Sequence, residues 1–446
     1  MAELMPEPIS GVEPILMPRA FAFREHASRR TLAGEVHARP YEQLSAPVRA
    51  SHLAVMHNGL SAADERAYLT ELLAIHGAEP PGSGATHLAR DLGGLRLKWE
   101  RHSEFSTYTF LRFDAFTHPF AQSALELVPA DWLERLPGEV IAALHVAVES
   151  GSRSADELAA LFDNNMLIGS KILGGAGEAW TDFRLHADGF GRALVLDQGL
   201  SRGQIGRLLQ RLVEIETYRM MALLAFPVAR HAFFEVNRMD AGLAGIVTEL
   251  ADPGVVQNDR ELLDRLTALA AEAERLDAAT SFRLSAARAY YDIVQRRIGE
   301  LREDRIPGVQ TVGEFMDRRL APAMRTCETA AERQQLLGRR AARAGDLLRT
   351  RVDIALEEKN RDLLRSMNRR AKLQLRLQET VEGLSVVAIS YYLLGLVLYA
   401  AKGLKGAGLH VDPDVAALVA LPVILGAVVL GVRRLRRALG HGGEDD

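Results

Sequence analysis

Two uncharged apolar runs near the end of this chain limit its fold more than any other feature of the sequence. The first covers residues 383–401 (GLSVVAISYYLLGLVLYAA) and the second 415–432 (VAALVALPVILGAVVLGV). Each supplies about the 18–20 residues that carry a helix across ~30 Å of hydrocarbon. Two such stretches so close together are foreign to a soluble core, so the pair predicts a transmembrane hairpin. Basic residues flank it on both sides: Arg369, Arg370, Lys372 and Arg376 before, Arg433, Arg434, Arg436 and Arg437 after. The two lysines of the connecting segment are balanced by Asp412 and Asp414. The excess of Lys and Arg places both flanks in the cytoplasm and the short connection outside. The opening MAELMPEPISGVEP has neither a basic start nor an apolar stretch, so no signal peptide is expected.

The spans differ in kind. Span one carries Ser385, Ser390, Tyr391 and Tyr392, with Glu382 at its cytoplasmic mouth, whereas span two has no hydroxyl at all. Polar groups at membrane depth normally face protein or water. Glu382, Ser385, Ser390, Tyr391 and Tyr392 are therefore the candidate inner face of an oligomer, with span two outside it. The competing reading bonds the serines to their own helix backbone and leaves the tyrosines in the interfacial belt.

Upstream, the pattern changes near residue 200. Over 48–200, short β-branched and apolar runs alternate with short amphipathic helices: VRASHLAVMHN reads as a strand, and LSAADERAYLTELLAIHG as a helix capped by Ser61. LRLKWER and EFSTYTFLRF read as a hairpin around His102-Ser103, followed by a strand in EVIAALHVAVES and a helix capped by Ser154. LIGSKIL, AWTDFRLHA and GRALVLDQ give three further strands. This order predicts an α+β or α/β head with a mixed sheet.

From 201 onward the apolar spacing is helical, with a break at Pro227 and heptad-like seams at Leu262–Leu301 and Met316–Leu348. Arg283 interrupts the first seam; the second slips register after Leu348, as a four-residue stutter would cause. From Gly313 to Ala401 the chain reads as one unbroken helix, about 130 Å long at 1.5 Å per residue. The expected organisation is an N-terminal arm (1–47), an α/β domain (48–200), a helical stalk (201–382), two transmembrane helices (383–432) and a basic-then-acidic tail (433–446).

Bulk numbers exclude some classes. A net charge of −4 gives no footing for nucleic acid, and a hydrophobic share of 48% suits a folded chain. The single cysteine, Cys327, rules out an internal disulfide framework and falls on a seam as a buried thiol.

Two passages, FREHASRRTLAGEVHARPYEQL (23–44) and QETVEGLSVVAISYYLLGLVLY (378–399), with WERHSEFSTYTF (99–110) between them, resemble a bacterial family of uncharacterised membrane-anchored proteins, domain of unknown function 3422. The resemblance runs through essentially the whole chain. It implies a bacterial inner membrane setting and no established activity. The layout is more distantly similar to CorA-type divalent-cation channels, which implies a homo-oligomer joined through the stalk and span one, and a divalent cation as partner. Their Gly-Met-Asn motif after the first span is absent; YAAKGLKGAG stands there.

Eight of the thirteen histidines fall within residues 1–118. The densest charged constellation is Arg24, Glu25 and His26 followed by Glu35, His37 and Arg39. Brought together, Glu25, His26, Glu35 and His37 would offer mixed N/O ligands to a divalent metal. Arg24, Arg29, Arg30 and Arg39 would suit an anion such as phosphate, and simple ion pairs pinning the arm are the third reading. No spaced metal motif, phosphate loop or G-x-S-x-G elbow occurs, so no cofactor and no catalytic residue is assigned. The expectation is a membrane-anchored oligomer whose cytosolic head is coupled by a long helix to the bilayer, with cation transport as its work. A membrane-tethered scaffold or ligand-sensing module without transport is the alternative.

Overall fold

The computed structural model describes residues 24–37, 41–251, 259–407 and 412–440. They form two compact units. The first joins Met1–Glu249 with Arg265–Ala342 and the second Leu250–Asp264 with Arg343–Asp446.

A nine-stranded sheet dominates the first unit, in the order β2-β3-β4-β1-β5-β8-β7-β6-β9. The strands are β1 (Val48–Met56), β2 (His87–Asp91), β3 (Leu95–Arg101), β4 (Phe105–Arg112), β5 (Glu139–Ser150), β6 (Ile168–Ile172), β7 (Gly177–Thr181), β8 (Gly191–Asp197) and β9 (Asp304–Arg305). Every pairing is antiparallel except β5 with β8, so the sheet is mixed as the sequence predicts. The parallel step is where α4 (Ala155–Leu161) and the β6–β7 hairpin intervene between β5 and β8. Helix α4 starts on a capping box made by Ser154 and Glu157. Helix α2 (Ala62–Ile75) starts on Ser61, whose hydroxyl accepts from the Asp64 N–H at 3.1 Å. α1 (Arg29–His37) and the five-residue α3 (Ala130–Glu134) complete the short helices.

Side-chain alternation divides the sheet into two buried faces. On one face Leu53, Leu97, Trp99, Tyr108 and Phe110 pack with Leu69, Leu72 and Leu73 of α2 and with Trp132. On the other, Ala50, Leu111, Val146 and Val195 pack with Ile205, Leu208, Leu209 and Leu212 of α5 (Arg202–Leu223). A sheet apolar on both faces in its centre needs helices on both, and this one has them.

α5 ends at Leu223 and α6 (Ala225–Ala251) begins two residues later, placing Pro227 in a first turn, where a missing N–H costs nothing. α7 (Asp259–Leu301) and α9 (Ala321–Gly406) contribute to both units. Their seams are buried within the first unit from Leu266 to Leu301 and from Met316 to Ala341. Gln334 donates to Thr280 Oγ1 at 2.8 Å across them. Where Arg283 interrupts the seam, Leu284 takes the buried position and Arg283 turns to Glu104 at 2.5 Å. The unbroken helix expected from Gly313 begins later. α8 (Val312–Arg319) closes first, and α9 starts at Ala321 with Pro322 in its first turn. Glu303 secures the start of α8, accepting from Val312 N and Gly313 N at 2.9 Å each.

In the second unit α9 continues without a break to Gly406, and α10 runs Pro413–Gly440 with Pro422 inside it. Both carry an 18-residue window long and apolar enough to cross a membrane, and only 11% and 6% of those windows is buried. A core helix of a soluble protein would hide most of such a window.

Candidate functional site

A narrow cleft of about 50 Å³ lies between the sheet and α5. Strand alternation builds its floor: Lys98 of β3, Thr109 of β4 and His52 of β1 stand in one row across three neighbouring strands. Glu100 and Thr107 stand in the row beside them. α5 closes it with Gln210, Val213, Glu214, Thr217 and Tyr218, and Phe105 and His102 stand at the rim. The lining mixes apolar side chains such as Leu209 and Val213 with ten polar or charged residues.

Its polar groups are held in place. His52 is buried, with Nδ1 2.8 Å from Thr109 Oγ1 and Nε2 2.9 Å from Thr217 Oγ1, so one imidazole ties sheet to helix. Burial, aided by the charges of Lys98 and His102, lowers its pKa to about 3. The ring is neutral at physiological pH, and with both nitrogens bonded to the threonines it braces the floor without presenting charge to the cleft. Lys98 Nζ lies 3.0 Å from Glu100 Oε1, and Gln210 donates to Glu214 Oε1 at 2.8 Å. Glu214 also pairs with Arg297 of α7, and Glu42 with Arg96 at 3.0 Å. The carboxylates are thus largely neutralised by neighbours. At the rim His102 stacks on Phe105 at 4.6 Å, and Tyr218 on Tyr290 at 5.6 Å.

Gly206 sets the width of the cleft at one end. A Cβ there would meet the Glu42 carbonyl oxygen at 1.7 Å, and the segment through Glu42 is anchored by Leu44 N donating to Arg202 O at 3.1 Å. Gly206→Ala forces that segment away from α5. Its expected cost is about 2 kcal/mol, the usual scale of overpacking, read from the denaturation midpoint of the full chain in detergent.

Two further polar clusters have a different character. Ser51 Oγ sits 2.9 Å from His145 Nδ1, and Asp188 Oδ2 lies 3.7 Å from His145 Nε2. The residue types are those of a hydrolase triad, but Ser51 is 0% exposed inside β1 and β1 is flanked on both sides by strands, so no carbonyl can reach it. Burial lowers the His145 pKa to about 4, against the opposing pull of Asp188. Nearby, His186 lies between Asp163 (2.7 Å) and Asp182 (3.0 Å). Asn165 donates to Asp182 at 2.9 Å, which knits the loops after α4 and β7 together. Among the described residues no group of three or more His, Cys, Asp or Glu is placed to hold a metal ion.

The residues singled out from the sequence lie elsewhere. Arg24, Glu25 and His26 are exposed; Glu25 pairs with Arg29 and Arg30 at 3.0 Å each, and His26 Nδ1 accepts from Ser28 N at 3.2 Å. Glu35 and His37 stand on the last turn of α1, and Arg39 lies outside the described residues. The five span-one residues differ in exposure: Glu382 is half-buried and Ser390 buried, while Tyr391 and Tyr392 are 75% and 73% exposed. Ser385 is exposed and donates to the Val381 carbonyl at 2.8 Å, the backbone bond that the alternative reading foresaw.

The cleft residues His52, Lys98, Glu100, Gln210, Glu214 and Thr217 are absent from the sequence-based candidates. A signal existed: LRLKWER alternates Arg96, Lys98 and Glu100 against Leu95, Leu97 and Trp99. A polar strand face that a helix then covers must pair its groups with one another, with water or with a ligand.

A family model described as "Protein of unknown function (DUF3422)" matches residues 24–439. It lends no support to the likeness in layout to CorA-type channels. No curated protein matches the chain.

Proposed function

We propose, from the premise that the chain belongs to the DUF3422 family, that it is a membrane-tethered ligand-binding protein. Its α+β unit takes a small amphipathic molecule between the sheet and α5. The observation that carries this is the cleft itself, lined by Leu209, Val213 and Phe105 together with Lys98, Glu100 and Gln210. An apolar body would lie along α5 and a polar head would reach the Lys98–Glu100 pair, with His52 fixing the floor. The two exposed apolar helices at the C-terminus support anchorage in a bilayer, which we place in the bacterial inner membrane with both flanks cytoplasmic. Tethering without transport accounts for both features, and no path through the bilayer is needed.

The test has two arms. Full chain in detergent is dialysed against a fixed panel of organic anions, cations and amphiphiles of at most about ten heavy atoms, because the cleft is only about 50 Å³. At least one should bind saturably, and Val213→Trp, which fills the cleft, should weaken it at least about tenfold, or ~1.4 kcal/mol. Val213→Ala should leave binding within a few-fold. Absence of saturable binding, or equal binding by Val213→Trp, refutes the cleft. Separately, the chain should stay with membranes through alkaline carbonate extraction, and its release would refute the anchor.

A further inference from the structure

The buried seam of α9 ends at Leu348, which is 0% exposed, and from residue 353 to 381 every described position but Ala355 is exposed. That stretch nevertheless keeps a strict seven-residue repeat. Leu356, Leu363, Arg370, Leu377 and Leu384 recur at one core position, and Asn360, Met367, Gln374 and Val381 at the other. The six apolar members, Leu356, Leu363, Met367, Leu377, Val381 and Leu384, are 57% to 69% exposed. The charges Arg361, Arg365, Arg369, Lys372, Arg376 and Glu379 occupy the opposite side of the helix. A lone helix with an open apolar stripe gains no packing energy to offset the cost of ordering it.

We infer that this stripe is the seam of a parallel, in-register coiled coil with a second copy of the same chain. Three observations choose that occupant. First, six of the nine positions at the four–three spacing of a heptad are apolar, which suits a partner helix. Second, Asn360 and Gln374 sit two heptads apart at equivalent core positions. In a parallel, in-register pair each meets its own counterpart, amide to amide, which fixes register. Third, the area is of the right order: at roughly 100 Å² of apolar surface per side chain, the five members before span one in two copies hide about 1,000 Å², where specific interfaces begin. Arg370 is the one cation in the seam; its long stem keeps the stripe apolar while its head reaches out to water. The parallel direction agrees with the membrane-anchored reading, which holds neighbouring copies the same way up, but self-association does not depend on it.

Cysteine pairing tests this on the full chain in its native membranes. The native thiol Cys327 is buried, so single cysteines report on their own positions. Leu363→Cys and Gln374→Cys should each form a same-site disulfide on mild oxidation, since core positions approach within the 4.4–6.8 Å that the bond needs. Arg365→Cys, on the far side, should form at least about fivefold less. Same-site pairing at two positions eleven residues apart is unattainable for an antiparallel pair, which matches like with like at one point only. Equal pairing at all three sites, or none at the two seam sites, overturns the inference. Leu363→Glu with Met367→Glu should reduce the detergent-solubilised particle to a single copy; an unchanged mass would also overturn it. Should the chain prove extractable by carbonate, the anchor fails while the disulfide pattern still decides the seam.

Discussion

Glu65→Ala is expected to cost about 4 kcal/mol of unfolding free energy, the scale of removing one partner from a buried ion pair. Its carboxylate is buried beneath β3 and β4, accepting from Trp99 Nε1 and Tyr108 OH at 2.8 Å each and from Arg101. Burial works to raise the Glu65 pKa, but hydrogen bonds from Ser106, Trp99, Tyr108 and Arg101 outweigh it and hold the group below the ordinary carboxylate range. Alanine leaves the indole and phenol donors without an acceptor and the Arg101 guanidinium without its counter-ion. Each orphaned neutral donor costs about 1–3 kcal/mol and the cation more. In a chain of this size the melting temperature should fall by roughly 4–6 °C. Glu65→Gln keeps one acceptor but turns an amide N–H₂ toward a donor, so about half the loss is expected. A drop under about 1 kcal/mol for Glu65→Ala, in the range of exposed pairs, would mean that the site is wet and the network marginal. The depressed pKa adds a sign. This group stabilises the fold above the unfolded carboxyl pKa and loses that effect as pH falls through the folded one.

Local chemistry made much of the head readable. Ser61 and Ser154 announced α2 and α4 because a capping hydroxyl has a fixed relation to the N–H groups it accepts from. The His102-Ser103 turn announced the β3–β4 hairpin because alternation switches on at both sides of it. Strand β2, HLARD, went unseen: it is an edge strand, exposed at both ends, and carries only one fully buried side chain, Leu88. β9 is two residues long and exists only because β6 offers it an open edge. The cleft was illegible for a deeper reason. Its floor joins residues of β1, β3 and β4, and its roof comes from α5, a hundred and more residues later. No local spacing encodes that meeting. Charge density drew attention to Arg24–Arg39 instead, where Glu25 has only near neighbours for partners. Heptad counting failed at Arg283 because a seam tolerates a one-residue shift when Leu284 follows.

Acid should unfold the first unit, and His52 should account for a defined share of the loss. The sign follows from its burial. An unfolded histidine titrates near 6.5, whereas folded His52 stays neutral down to about 3. Between those values the unfolded chain binds one more proton than the fold, so stability falls as pH falls. The slope is about 1.4 kcal/mol per pH unit for one such group, or about 2 kcal/mol from pH 6.5 to 5. His145, held down to about 4, contributes a similar slope from the other face of the sheet. His52→Gln removes one titrating group while keeping a side chain that can bond Thr109 or Thr217. It should be less stable than the parent at pH 7.5 by about 2 kcal/mol, the cost of the hydrogen bond it cannot remake. By pH 5 that deficit should have closed, because only the parent pays for excluding a proton at this position. Urea midpoints of both proteins at pH 7.5, 6.5 and 5, followed by tryptophan fluorescence, measure the difference directly. Parallel pH profiles would mean that His52 is charged or hydrated in the fold, and the floor of the cleft would then be open to water. Converging profiles would establish a neutral imidazole there, which limits what the cleft can recognise: no charge at the His52 end, and charge only toward Lys98 and Glu100.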